Sequence, residues 1–554
     1  MRKTVGVSER KASDLFVECL EAEGVKYVFG IPGEETLDLN ESLDASSISF
    51  VPVRHEQGGA YMADMYGRLT RHAGVCLGTL GPGATNLVTG VADALLDRSP
   101  MVALTGQADL ERMHKESHQY IDVVDMLRPV TKFNARLNSA RVIPEVVRKA
   151  FKVAQAQKPG PTHIELPEDV MAASVDAAPL PVRDALRHPE PSGEELLAAV
   201  ELIRGADRPI VLAGNGVART GSAAALRAFA RATGIGVAET FMGKGMLHYE
   251  DPQALGTVGV QSRDYALAGF EEADVVIAVG YDLVEHSPAH WNPERDKQIV
   301  CIDTLAPEVD EHFVTAVDLV GDLAVILTRL ADALGELGHS PPPPRLNDIV
   351  LGRFEAAKDD DAFPVQPPRV LWEIRQALGP RDILISDVGL HKLWIARMFP
   401  AHEPNTVFVA NGLAGMGIAL PTAIAAKLVH PDRHVVTVSG DGGFLMNVQE
   451  LETAVRLRTA VVNVIWENGQ YGSIVWKQEK KFGRHFGTDF TNPDFVRLAE
   501  AFGMPAWRCE SVEDVGTHLR HALTLDLPSL IVVPIDYSID VAISEELGTE
   551  TVVA

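Results

Sequence analysis

Cysteine is scarce, with four in 554 residues. Cys19, Cys76, Cys301 and Cys509 share no C-x-x-C spacing, which argues against a disulfide scaffold and against a cysteine-ligated zinc site. No uninterrupted apolar run reaches membrane-spanning length, and the opening MRKTVGVSERKASDLF has no continuous apolar core behind its basic residues. Neither insertion into a membrane nor export is therefore expected, and a reducing cytoplasm fits best. Cations are also in deficit: lysine plus arginine total 50 against 76 acidic residues, a balance of −26. Such a chain is a poor partner for a phosphate backbone, so nucleic acid is not expected to be its ligand. What is present, 46% hydrophobic and 23% charged residues, describes a globular protein too long for one core.

Two proline-rich, charged, aperiodic stretches read as linkers: Asp176 to Glu195 and Gly338 to Pro368. They leave three segments, taken as domains over residues 1–175, 190–337 and 366–545. Each repeats short valine- and isoleucine-rich runs that end in glycine or a small polar residue and lead into helical stretches. The first has YVFGIPG, ISFVPV, GVCLGTLGPG, PMVALTGQ and THIELPED; the second PIVLAGNG, IGVAET, DVVIAVGYD and QIVCIDT; the third DILISDVG, TVFVANG, HVVTVSGDGG, VVNVIWENG and SLIVVPID. Short apolar strands alternating with helices predict parallel sheets covered on both faces, hence three doubly wound α/β domains in series. Ligands in such sheets sit beyond the carboxyl ends of the strands, where these glycines gather.

In the third segment, the run ending in Gly440, Asp441, Gly442 and Gly443 reads as a strand over 434–439, followed by a helix over 447–457 with Asn447 and Glu450 placed as a capping pair. The next strand, 461–466, leads to Asn468. A right-handed crossover makes the two strands parallel, so Asp441 and Asn468 are expected at the same end of the sheet. Both side chains offer oxygen, which suits magnesium completed by water and phosphate, and the glycines leave backbone N–H groups open to a diphosphate. A GDG tripeptide alone is a common turn; the asparagine at the next strand end is what points to a shared ligand.

These residues resemble the signature of the thiamine-diphosphate-dependent enzymes, GDG followed beyond a helix-length spacer by asparagine. The resemblance implies Mg2+ held by Asp441, Asn468 and the carbonyl of Gln470; where the family usually has two asparagines, this chain has Glu467 and Asn468. RHEQGGAYMADMYGR resembles the block with the family's activating glutamate. Glu56 is then implied at the cofactor pyrimidine, favouring the imino form that takes the C2 proton and so generates a carbanion. From position alone, a glutamate in a first helical turn ordinarily serves the helix dipole. GTLGPGATN implies cofactor contacts from Thr79, Pro82 and Asn86. ANGLAGMGIALP implies Met416 as the apolar wedge under the cofactor and the Ala414 carbonyl as acceptor for its amino group, and DVGLHKLWIAR places His391 near the diphosphate.

The likeness covers nearly the whole chain and is greatest to acetolactate synthases of the catabolic, pyruvate-dedicated branch, through ESHQYIDVVDMLRPVTKF, VGYDLVEHSPAHWN and QEKKFGRHFG among others. It implies pyruvate as substrate, other 2-oxoacids or aldehydes as acceptors, and 2-acetolactate as product. Gln119 is implied near the reacting carbon, with His118 and Lys132 as candidates for the substrate carboxylate, although a lone lysine is ordinarily a solvated charge. Trp476 and Lys477 replace the context that favours 2-ketobutyrate in the biosynthetic branch. The Met-His-Gly run of the flavin-binding branch is missing from LGTVGVQSRDY, so FAD is expected to be absent; the glycines of VLAGNGVARTG alone are a weak nucleotide signal. A homodimer or pair of dimers with active sites between subunits is also implied. Another decarboxylase, carboligase or acetyltransferase of the same cofactor family remains open, as does a regulatory homologue without turnover.

Overall fold

The computed structural model describes residues 10–182, 189–260, 262–337 and 345–538. The protein consists of three α/β domains, each built on a six-stranded parallel sheet. By internal packing the described residues divide into two compact units, one drawn from 1–186 with 420–430 and 447–457, the other from 187–419, 431–446 and 458–554. Both expected linkers include segments outside the described residues. So do the first nine residues of the expected first domain and the end of the third beyond 538.

The first unit holds β1 (Tyr27–Gly30), β2 (Ser49–Pro52), β3 (Gly74–Gly78), β4 (Met101–Gln107), β5 (Phe133–Arg136) and β6 (Pro161–Pro167), in the order β2-β1-β3-β4-β6-β5. β3, β4 and β6 are buried along their whole length, and valine, isoleucine and leucine there meet helices on both faces. Two helices follow strand ends: α1 (Glu56–Thr70) after β2 and α2 (Pro82–Leu96) after β3. They pack so closely that a Cβ on Gly90 would stand 2.5 Å from that of Ala60. Arg68 of α1 ties the pair electrostatically, 3.1 Å from Asp64 and 3.7 Å from Asp93, with Asp97 also in contact.

The second unit contains two sheets. One has β7 (Pro209–Ala213), β8 (Gly236–Glu239), β9 (Ala254–Thr257), β10 (Val275–Val279), β11 (Gln298–Asp303) and β12 (Val317–Val320), ordered β9-β8-β7-β10-β11-β12. The other has β13 (Ile383–Ser386), β14 (Val407–Val409), β15 (Val435–Gly440), β16 (Val461–Glu467), β17 (Ala506–Arg508) and β18 (Ser529–Pro534), ordered β14-β13-β15-β16-β18-β17. One apolar core runs from Phe241 and Trp291 beside the first of these sheets to Trp394, Val438 and Val464 of the second. That shared core joins them into one unit.

Four strands of the six-stranded sheets escape the sequence reading: β5, β9, β12 and β17. All are sheet edges. An edge strand pairs on one side only and is partly solvated, so FNAR and AWR carry no continuous apolar run. Among the described residues no helix is long and apolar enough to cross a membrane.

Candidate functional site

In the first sheet the strand order reverses between β1 and β3, which opens a crevice at their carboxyl ends. Gly30 and Gly33 leave β1 and Thr79 leaves β3 there; a Cβ on Gly33 would lie 2.3 Å from Thr79, so only glycine allows the approach. The Thr79 hydroxyl donates to Glu35 at 2.9 Å. Gly81, at φ +54, caps α2, with Pro82 at its first turn, where a missing N–H costs nothing. α2 presents Asn86, whose amide donates to Oε2 of Glu56 at 2.9 Å. Glu56 opens α1 and is only 6% exposed, while its Oε1 faces the bare backbone of Gly83, where a Cβ would be 3.3 Å away. Gln119, at φ +58, lies against the Gly81 turn: a Cβ there would be 2.8 Å from the Gln119 carbonyl. Glu56, Thr79, Pro82, Asn86 and Gln119 therefore gather within one unit.

The second half of the expected site lies at the corresponding reversal of the third sheet, between β13 and β15. β15 and β16 are parallel neighbours, with Gly440 opposite Trp466, so Asp441 and Asn468 emerge at one end as expected. Asp441 is buried. Its Oδ2 accepts from the amides of Asn468 at 2.9 Å and Gly469 at 2.7 Å and from the Asn492 side chain at 2.8 Å; among the described residues Oδ1 accepts only from Gly442, at 2.9 Å. Oδ1 thus keeps acceptor capacity for a cation. Among the described residues the Asn468 amide oxygen is engaged only by a long 3.3 Å contact from the Gln470 N–H. Gln470 is held in turn by its side-chain bond to Asp489 at 2.6 Å and by backbone bonds on either side, Tyr471 to Thr488 and Phe490 to Gly469, each 3.0 Å. Among the described residues no three His, Cys, Asp or Glu side chains cluster as a metal site. The donor set here contains one carboxylate, one amide and one carbonyl, a composition that suits magnesium sharing its shell with phosphate and water.

A diphosphate fits beside this carboxylate. His391, on α3 (Leu390–Met398), is buried, and its Nε2 has no hydrogen-bond partner among the described residues. Burial and nearby Lys392 depress its pKa to about 3, against a raising contact with the Asp387 backbone, so the ring is neutral near pH 7. A Cβ on Gly440 would meet this ring at 3.4 Å, and one on Gly442 would strike Tyr471 at 2.8 Å. The glycines thus leave a bare cradle between two rings. Asp387, at the end of β13, holds the neighbouring loop: its Oδ1 accepts from Gly417 at 2.8 Å and its Oδ2 from the Ser439 hydroxyl at 3.2 Å. In that loop Ala414 takes φ +58, and Met416 is half-buried.

Other expectations fare differently. The helix after GDG, α4, spans Glu450–Leu457 rather than starting at Asn447, and Glu450 is not its capping partner. Its carboxylate turns instead to the amides of Arg54 and His55, which have no ladder partner at the end of β2. Lys132 gives its ammonium to the carbonyls of Val153 and Ala156, at 2.7 and 2.6 Å, at the end of helix Ile143–Gln155, a capping use rather than a carboxylate contact. His118 is exposed. Trp476 and Lys477 lie on α5 (Gly472–Phe482), Lys477 exposed and Trp476 half-buried with Lys480 5.6 Å from its ring. The sequence reading missed Asp387, Tyr471 and Asn492. A carboxylate directly after DILIS at a strand end was a signal for the first; nothing local marks the others.

In the second sheet the reversal falls between β7 and β10, and a side chain of the chain itself fills the crevice. Glu285 accepts from the Asn215 amide at 3.1 and 3.0 Å and from Asp282 at 3.0 Å, and receives the Thr240 hydroxyl. A Cβ on Gly214 would lie 2.6 Å from its Oε1. Burial, then the nearby Asp282, pushes the Glu285 carboxyl up to about 7.

Comparison with known proteins matches three segments of the chain to one family. Residues 10–126 match the thiamine pyrophosphate enzyme N-terminal TPP binding domain, 196–330 the central domain and 387–533 the C-terminal TPP binding domain. An acetolactate synthase of Bacillus subtilis (strain 168) is 33% identical over 546 residues, 97% of this chain and 95% of the relative. The catabolic acetolactate synthase of Raoultella terrigena is 35% identical over 533 residues, 95% of each chain. A probable acetolactate synthase large subunit of Methanocaldococcus jannaschii is 35% identical over 552 residues, 95% of this chain and 92% of the relative.

Proposed function

The chain belongs to the thiamine pyrophosphate enzymes, and from that premise we propose that it is an acetolactate synthase, releasing CO2 from one pyruvate and joining the remaining two carbons to a second to give 2-acetolactate. The carrying observation is the pairing of Asp441 and Asn468 at adjacent parallel strand ends, joined by the 2.9 Å bond from the Asn468 amide. Bound thiamine pyrophosphate (the thiamine diphosphate of the sequence reading) supplies a nucleophilic carbon and an electron sink.

Asp441, Asn468 and the Gln470 carbonyl are assigned to Mg2+; the side-chain-free stretch of Gly440, Gly442 and Gly443, whose Gly442 amide already serves Asp441 Oδ1, and the neutral His391 are assigned to the diphosphate. The uncommitted lone pair on Asp441 Oδ1 and the orphaned His391 Nε2 support this. Glu56 is assigned to the pyrimidine ring, held in place by Asn86, with Thr79 and Pro82 shaping the same wall. Met416 and the Ala414 carbonyl are assigned to the bend and amino group of the cofactor. Gln119 is assigned to the substrate beside the Gly81 turn. His118, Trp476 and Lys477 are left as outer contacts.

The domains are taken as 1–175, 190–337 and 366–545, each enclosing one matched family segment. FAD is not required, a reading supported by the Glu285 carboxylate in the crevice of the second sheet. The active unit is a homodimer or a dimer of dimers in which Glu56 of one copy serves the Asp441 site of another, and the enzyme works in the cytoplasm. Phe482 and Phe486, 64% and 79% exposed, give it apolar surface for such an assembly.

The test incubates the purified chain with pyruvate, thiamine pyrophosphate and Mg2+, with and without flavin, and identifies the product. 2-Acetolactate formed without flavin supports the reading. Acetaldehyde as sole product, or no reaction, sinks it.

A further inference from the structure

Glu450 is fully buried, at 0% exposure, and no cation pairs with it among the described residues. A buried carboxylate without a counter-ion is costly unless hydrogen bonds satisfy it. Oε1 accepts the backbone N–H groups of Arg54 at 3.0 Å and His55 at 3.1 Å; Oε2 accepts the Thr453 hydroxyl at 2.7 Å. Those amides lie between the end of β2 at Pro52 and Glu56, the first residue of α1. Neither the β-ladder nor the helix offers them an acceptor there.

The same turn is gripped from other sides. His55 is the extended N-cap of α1, and its ring accepts from the Gln57 amide at 3.2 Å. Arg456, also on α4, donates to the Pro52 carbonyl. A Cβ on Gly58 would stand 2.7 Å from Glu450 Oε1, so glycine in the first turn of α1 leaves the room this carboxylate occupies. If Glu450 served only its own helix, Thr453 and solvent would suffice; instead it reaches backbone 396 residues earlier at Arg54 and 395 earlier at His55.

The structure assigns Glu450 as a positioning residue for Glu56: by fixing the two amides that precede it, Glu450 sets where the activating carboxylate leaves the strand-to-helix turn. This assignment rests on the role proposed above for Glu56. Its chemistry is hydrogen-bond acceptance, so an amide oxygen does the same work and a methyl group does not.

The test uses the full chain with thiamine pyrophosphate and Mg2+, measuring cofactor affinity, exchange of the cofactor C2 hydrogen with deuterium by acid-quench NMR, kcat and KM for pyruvate. Glu450→Gln is expected to exchange within about threefold of the parent chain. Glu450→Ala is expected to slow exchange and kcat together by roughly tenfold or more, since a displacement of about 1 Å costs up to ~100-fold, with cofactor affinity and KM little changed. Should Glu450→Ala not fold, Gly58→Ala, which crowds the same carboxylate, is expected to show the same pattern. Exchange at the parental rate in Glu450→Ala, or in Gly58→Ala when that variant stands in for it, would overturn the assignment, as would an equal loss in Glu450→Gln. A parent chain that exchanges no C2 hydrogen would overturn the proposed function itself, and the assignment with it.

Discussion

At the scale of single residues, the Glu56–Asn86 contact sets the outcome, because one oxygen of a buried carboxylate is committed and the other is left facing bare backbone. Glu56→Gln is expected to lower kcat for 2-acetolactate by at least roughly 100-fold, the usual scale for loss of a positioned acid–base group, while cofactor affinity holds. Steady-state kinetics beside a cofactor titration checks this. A second residue-scale prediction concerns Glu285. Its folded pKa, about 7, stands above the ordinary glutamate value of 4.5, so the folded chain holds that proton more tightly. The resulting stability is complete below the unfolded value and is lost as pH rises through the folded one. Glu285→Gln, which cannot ionise, is therefore expected to lose less stability than the parent between pH 5 and about 8, read from denaturant midpoints at the two pH values. Asp441 and Asn468 were legible because each directly follows a strand-like run, whereas Glu56 was legible only through the resemblance of RHEQGGAYMADMYGR to a family block. Asp387 was passed over although it too follows a strand-like run, and Glu450 was read only as a helix cap, since the work of both is done on groups supplied by distant parts of the chain.

At the scale of elements, α1 and α2 meet through Gly90 and Ala60, and that close approach brings Asn86 to Glu56. Gly90→Val is expected to push the helices apart and cost roughly 1–3 kcal/mol by overpacking. Chemical denaturation reads the loss, and kcat should fall further than partial unfolding explains. The fully buried strands announced themselves in sequence because both faces of such a strand need apolar side chains. Edge strands carry no such demand, which is why FNAR, VDLV and AWR passed unnoticed while YVFG and VVTVSG did not; ALGT is mostly buried, but its glycine and threonine break the apolar run. The helix after GDG was expected three residues too early because Asn447 and Glu450 have the spacing of a cap. The Glu450 carboxylate found stronger employment on two orphan amides.

At the scale of the whole molecule, the proposed sharing of Glu56 and Asp441 between copies makes a sharp prediction. Chains carrying Glu56→Gln and chains carrying Asp441→Ala should each be inactive alone. Co-expressed, they should recover roughly a quarter of parental activity, since half of randomly formed dimers are mixed and each mixed dimer has one intact site. Recovery is assayed as 2-acetolactate formation in the unselected co-expressed pool; mixed dimers isolated through two different tags should show about half of parental activity. No recovery in a verified mixed dimer means that both residues act within one chain.

The order of residues determined by itself that the chain is a series of doubly wound α/β domains, and that a carboxylate and an amide stand at adjacent strand ends. Both follow from local rules: apolar runs bury, glycines open strand ends, and a crossover of fixed hand returns the next strand parallel to the last. Tertiary structure alone decided which free backbone groups those side chains meet. It set Asn86 on Glu56, gave Lys132 to a helix end, filled the crevice of the second sheet with Glu285 and turned Glu450 to the amides before Glu56. A hydrogen bond forms wherever folding brings donor and acceptor within about 3 Å, and no spacing in the sequence records that meeting.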